Sequence, residues 1–394
     1  MSSPHSRTRT QAGKQASTAV FGKQLDPRTN SLNLIRLVLA STVLFAHTYF
    51  ILGIDVEKMP IWGGKHLGVW AVAGFFAVSG YLITASRQRT RFANFLLLRI
   101  GRIFPAFVMV LLVTAVLFGP IAHLVTRGTL LGYLRTPPSP LSYLFQNMFL
   151  EVRQYDIGDS LATVPYPDVW NGSLWTLYYE FLCYLVVGVF LIWRRARSSV
   201  WPLIAAFIIS VLIYIKIDFV LSFLDGNTSF RLLAMLLPYF LGGAIVRVLM
   251  PYIGLHWISG VISLAGVVIS IGYGPAWAAQ LTAPLLAYGI LWLSTVIPQP
   301  EWIARNDISY GVYVYAFPIQ QLLVVFGLTF LDLWSFSLIA LAITAVFATA
   351  SWYLVERPAL RRTRTATGRN ADRASEREIA ESKTREIRIN TEMT

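Results

Sequence analysis

Arg36 and His47 stand eleven residues apart within a single apolar run, SLNLIRLVLASTVLFAHTYF. Ionisable side chains are rare in hydrocarbon, and those that occur usually face a polar cavity with a function. At ~100° per residue, eleven positions make about three turns plus ~20°, so both side chains share one helix stripe, roughly 16 Å apart along the axis. A stripe of that kind has to face protein or water, which makes this helix the wall of a candidate site. Glu180, in NGSLWTLYYEFLCYL, lies roughly 10 Å below its helix start at Ser173, and His47 roughly 9 Å inside the end of its own span. Two titratable groups at matched depth can form a His–carboxylate pair, in which the carboxylate fixes the tautomer and raises the basicity of the imidazole. They can also form a structural hydrogen bond between two helices, and both readings stay open. Arg99 and Arg102, in LLLRIGRIFPAF, are three residues apart and point the same way. At the cytoplasmic start of a third helix, two guanidinium forks suit a phosphate-bearing ligand. Attraction to anionic lipid headgroups explains them equally well.

These groups need elements to hold them. The chain has 394 residues, 55% hydrophobic and 13% charged, with a mean hydropathy of +0.57. Soluble domains carry roughly 25% charge, so the composition indicates a polytopic membrane protein with room for about ten spans of ~20 residues. Apolar runs predict helices over 32–53, 67–85, 103–125, 174–193, 202–223, 232–250, 257–273, 281–297, 308–326 and 335–354. The expected fold class is therefore all-α, a transmembrane bundle of about ten helices. Such a count puts both termini on one side. The basic N-terminal tail, the arginines between Arg87 and Arg102, those from Arg194 to Arg197 and those from Arg357 to Arg364 then share a face. The opposite face carries the long loop 126–173, where Arg127, Arg135 and Arg153 are outnumbered by Glu151, Asp156, Asp159 and Asp168. Positive-inside bias makes both termini cytoplasmic, in a multi-pass protein of the inner (cytoplasmic) membrane. Residues 1–30 read as a disordered basic tail, not a cleavable signal, 31–360 as the membrane domain and 361–394 as a charged tail. Within the long loop, LSYLFQNMFL is too short to span and reads as a re-entrant or interfacial helix.

The net charge of +13 does not form a stripe interleaved with aromatics, so the partner expected is the lipid bilayer and not nucleic acid. Cys183 reads as a small buried hydrophobe, without a disulfide or thiolate metal site. His5, His66, His123 and His256 lie in a tail or near span ends without ligand spacing, so no metal is expected. Asn171–Gly172–Ser173 and Asn227–Thr228–Ser229 match a glycosylation pattern that is common by chance. Gly74, Gly80, Gly242 and Gly243 suit close helix packing, while Lys216, Asp218 and Arg247 can snorkel from span ends. Buried His and Glu would also serve as a proton relay in a secondary transporter or exporter of a glycan or small polar solute. Transporters often show internal repeats, and none is evident here.

Several stretches together resemble the acyltransferase 3 family of integral membrane acyltransferases, over roughly residues 31–360. They are the Arg36–His47 pair, GVWAVAGFFAVSGYLITAS (68–86), RIGR (99–102) with IFPAF, NGSLWTLYYE (171–180), DISYGVYVYAFPIQQ (307–321) and SWYLVERPAL (351–360). One place departs from many members: a histidine before the Phe–Pro of the ninth-helix block is here Ala316, so a mechanism needing that histidine is not expected. The resemblance implies an O-acetyltransferase that takes an acyl, usually acetyl, group from cytosolic acyl-CoA to a hydroxyl of a carbohydrate or glycolipid acceptor of the cell envelope. It implies His47 as the key catalytic group, as general base or acyl relay, with Arg36 and Glu180 in support and Arg99 with Arg102 near the CoA phosphates. Ser79 and Tyr81 would donate to an oxyanion or simply pack helices, and Trp175, Tyr178, Tyr310 and Tyr313 would stack on sugar faces. An interfacial aromatic belt explains Trp175 as well.

Overall fold

Residues 22–26 and 29–368, apart from the side chains of Val56 and Ser198, are described by a computed structural model. The expected N-terminal tail and the end of the C-terminal one lie largely outside the described residues. Helices run as α1 Leu32–Ile51, α2 Leu67–Arg89, α3 Phe92–Arg127, α4 Trp175–Phe190, α5 Trp201–Ile215 and α6 Thr228–Ile253. They continue as α7 Trp257–Tyr273, α8 Ala283–Val296, α9 Ser309–Val325 and α10 Leu333–Gly368. Five of them, α1, α2, α3, α6 and α10, are long and apolar enough to cross a membrane. The fold is thus mostly helical, as hydrocarbon requires of a backbone that must satisfy its own polar groups. A hairpin of β1 (Ile61–Trp62) and β2 (Lys65–His66) is antiparallel, with Ile61 opposite His66.

Local chemistry sets several helix ends. The Asn227 side chain accepts from the Phe230 amide at 2.9 Å and Asp332 from the Trp334 amide at 2.9 Å, each satisfying an N–H that the helix cannot. Helices α2 and α6 meet backbone to backbone. A Cβ at Gly80 would lie 1.9 Å from the Phe240 carbonyl oxygen, and one at Gly243 2.0 Å from that of Ala77. Only glycine permits that approach, as the sequence suggested for both residues.

Almost every residue of α9 is buried, and polar side chains tie its neighbours to it. Gln320 donates to the Leu44 carbonyl at 3.0 Å and to the Thr48 hydroxyl at 2.8 Å. Pro318 has no N–H to give the carbonyl four residues back, at Val314. Asn171 supplies the missing donor, its Nδ2 lying 2.8 Å from the Val314 oxygen. The buried Asn171 amide is therefore a packing group, which disposes of the first glycosylation match.

Several boundaries differ from the sequence expectation. Helix α3 begins at Phe92, so Arg99 and Arg102 sit in its second and third turns and not at its start. The expected 202–223 helix breaks at Lys216 into α5 and Ile217–Ser222. Helix α10 runs on to Gly368, past the expected end at 354, through a π-turn at Trp352–Glu356. In the long loop only Pro140–Asn147 is helical, and Leu141, Phe145 and the following Phe149 are exposed, the character of an interfacial segment.

Candidate active site

Arg36, Ala40, Val43 and His47 follow the i, i+4, i+7, i+11 spacing that keeps them on one stripe of α1. His47 opens onto a cavity of about 200 Å³ whose walls include Phe50, His66, Tyr166, Trp175 and Phe317. The Ser173 hydroxyl lies 3.4 Å from His47 Nδ1, leaving Nε2 for the cavity. Phe317 stands edge-on to the imidazole at 5.1 Å. That ring fits because residue 172 is glycine, where a Cβ would come within 2.6 Å of it. Gln321 holds the long loop over this end, donating to the carbonyls of Tyr166 at 2.7 Å and Val169 at 2.8 Å.

Below it lies a smaller cavity of about 30 Å³ with Arg36, Glu180 and Tyr310 in its wall. The two cavities share Val72, Thr176 and Tyr313. Glu180 Oε1 accepts from Ser79 at 2.7 Å and from Tyr184 at 2.6 Å. The His47–Glu180 pair suggested by matched depth therefore gives way to two separate sets of partners: Ser173 for the imidazole, Ser79 and Tyr184 for the carboxylate. Depth along a helix fixes only one coordinate, and the rotation of α4 turns Glu180 into the smaller cavity.

A third cavity, about 530 Å³, is walled by Arg99, Arg102, Arg305, Arg357, Arg361 and Arg364, with Asp307 among them. One carboxylate joins a guanidinium of this cavity, Arg102, to one of the middle cavity, Arg36. Asp307 Oδ2 accepts from Arg36 at 2.5 Å and from Arg102 at 2.6 Å, and Ser309 donates to Oδ1 at 2.5 Å. Burial would raise the Asp307 carboxyl, but the two guanidiniums more than reverse that and hold it below the ordinary carboxylate value. Glu356, carried inward by the π-turn of α10, stands 3.6 Å from Arg102. Arg99 differs: its guanidinium lies 6.0 Å from the Phe95 ring centroid, and its buried Nε has no hydrogen-bond partner among the described residues. Arg99 is nonetheless one of the arginines lining this cavity, and guanidinium forks so placed fit a phosphate-bearing ligand.

Of the other residues singled out by sequence, Trp175 lines the His47 cavity, Tyr310 the middle one and Tyr313 both. The Tyr310 hydroxyl is committed to the Ile103 carbonyl at 2.8 Å, and that of Tyr313 meets Thr176 at 2.5 Å. Ser79 is spent on Glu180, and Tyr81 packs against Arg247, 5.7 Å from ring centroid to guanidinium carbon. Neither lines any of these three cavities. Asp307, Glu356, Ser173 and His66 were not singled out. A count of embedded charge points to the first two, since Arg36, Arg99 and Arg102 need more counter-charge than Glu180 supplies.

A family model described as an acyltransferase domain, of the acyltransferase 3 type, matches residues 29–356. The chain is 30% identical over 354 residues to an O-acetyl transferase of Shigella phage Sf6, covering 85% of this chain and 97% of that protein. It is 27% identical over 369 residues to nodulation protein 10 of Rhizobium leguminosarum bv. viciae, covering 84% and 93%. No solved structure matches it.

Proposed function

The chain belongs to the acyltransferase 3 family, and from that premise we propose that it is an O-acetyltransferase working across the inner membrane. It takes an acetyl group from cytosolic acetyl-CoA and esterifies a hydroxyl of a cell-envelope carbohydrate or glycolipid. The observation that carries this reading is the run of three cavities, from an arginine-lined one at the Arg99 end to the His47 cavity at the other. A donor with phosphates at one end and a thioester at the other needs such a path: cations where the nucleotide rests and a base where the acetyl group arrives.

In this reading all ten named helices cross the bilayer, both termini are cytoplasmic, and the catalytic unit, expected over 31–360, runs on through α10 to Gly368. Arg99 and Arg102 hold donor phosphates, helped by Arg357, Arg361 and Arg364, and the acceptor enters past the 126–173 loop. His47 Nε2 takes the proton of the acceptor hydroxyl as its oxygen attacks the thioester carbonyl. The C–S bond breaks, and the proton goes to the departing thiolate, so the imidazole ends neutral. General-base help of this kind is typically worth ~10²–10⁴ in rate. The Ser173 hydroxyl accepts from Nδ1–H in the tautomer this role needs, while Glu180 and Arg36 supply the polar wall of the passage.

Vesicles of inner membrane given acetyl-CoA labelled in the acetyl group test the reading. Label in alkali-labile esters of envelope glycan is the expected result. Movement of a solute without covalent product would replace transfer with transport.

A further inference from the structure

His66 shares the cavity of His47, although its place beside a span end gave it no role in the sequence. It ends the β1–β2 hairpin and occupies the cap position of α2, yet its side chain makes no capping bond. Helix capping therefore does not account for it. The ring stands edge-on to Phe50 at 5.5 Å, and its Nδ1 is buried without a hydrogen-bond partner among the described residues. Gly68 leaves it room, since a Cβ there would lie 3.1 Å from ring atoms Cε1 and Nδ1 and equally close to Ala46 Cβ. Burial lowers the pKa of His66 below 6.5, so at pH 7 it is a neutral imidazole offering one donor and one acceptor.

Around it, Tyr166, Trp175 and Phe317 give the cavity aromatic walls. Flat apolar faces with a few polar groups between them suit a ring that is apolar on its C–H faces and hydroxylated at its rim. We propose that His66 is an acceptor-positioning residue, which hydrogen-bonds the carbohydrate acceptor in this cavity and holds a hydroxyl toward His47. The role rests on the acetyl-transfer reading above, with His47 keeping the chemistry.

The test uses membrane vesicles carrying the full chain, labelled acetyl-CoA and two acceptors: endogenous envelope glycan, and hydroxylamine as a small nucleophile that needs no sugar seat. The readout is the ratio of glycan to hydroxylamine acetylation after subtraction of the protein-free rate. His66→Ala is expected to lower the ratio at least tenfold and to raise KM for glycan more than it lowers kcat. His66→Gln, which keeps a donor and an acceptor, returns it to within threefold of wild type. Gly68→Ala, whose Cβ would crowd the ring and Ala46 at 3.1 Å, is expected to lower the ratio less and serves if His66→Ala fails to accumulate. A ratio unchanged in His66→Ala and Gly68→Ala, whatever happens to the separate rates, overturns the positioning role alone. A wild type that acetylates neither acceptor overturns it together with the transfer reading.

Discussion

Replacing Asp307 with asparagine removes one negative charge from between two guanidiniums and leaves the shape almost unchanged. The side chains of Arg36, Arg102 and Asp307 are only 19%, 15% and 14% exposed, so water screens the group little. Deleting one partner of a buried ion pair costs ~3–5 kcal/mol, most of it the penalty of leaving the other charge unpaired. Asparagine keeps an acceptor for one guanidinium, and Arg102 retains Glu356 at 3.6 Å, so the lower end, about 3 kcal/mol, is expected for Asp307→Asn. Reversible unfolding in mixed SDS–detergent micelles measures it, and a cycle with Arg36→Gln isolates the pair. The pH dependence has a definite sign. The folded carboxyl lies below its unfolded value of ~3.9, so the charge stabilises the fold at every pH above that and the benefit fades only as pH falls further. The Asp307 charge is therefore present throughout pH 5 to 8, and the loss in Asp307→Asn is to be measured at pH 8. A loss under ~0.5 kcal/mol, the size of an exposed pair, would refute the reasoning.

Three further outcomes follow from particular contacts. Arg99 has an unpartnered Nε and no ion pair within 4.0 Å among the described residues, so Arg99→Ala should fold normally and raise KM for acetyl-CoA at least tenfold while kcat falls less; unchanged donor affinity leaves only a lipid-headgroup role. Asn171→Ala strands the Val314 carbonyl and should destabilise by ~1–3 kcal/mol; adding Pro318→Ala restores a helical N–H and should recover part of that loss, and no recovery would show that Asn171 acts elsewhere. Burial pushes the Lys65 ammonium, in the hairpin outside the helices, down to about 8, so competitive amine labelling should show half-reaction near pH 8; a midpoint near 10.5 would contradict the enclosed position.

The Arg36–His47 stripe was readable because helical periodicity alone puts the two residues on one side, and α1 keeps it. The partner of His47 was not, because span ends report depth but say nothing of rotation: Glu180 sits at a plausible level yet faces Ser79 and Tyr184. The start of α3 was misjudged for the reason that makes it interesting. Arg99 and Arg102 depress the hydropathy of turns that are fully helical, so the apolar run begins only after them. Asp307 and Glu356 were hidden at the edges of spans, where a carboxylate is ordinary, and what brings them in is tertiary: the approach of α9 to α3, and a π-turn in α10. His66 shows the same limit, since a hairpin of two two-residue strands leaves no periodic trace, and the contact of its ring with Phe50 of α1 is tertiary.

The claim on which the account turns is that His47 removes the proton from the acceptor. Acetyl transfer from labelled acetyl-CoA to envelope glycan by His47→Gln, in membranes where the variant is present in wild-type amount and wild-type fold, measures it directly. A fall of ~10²–10⁴ in kcat with KM for acetyl-CoA little changed is the predicted result; transfer at the wild-type rate would contradict it.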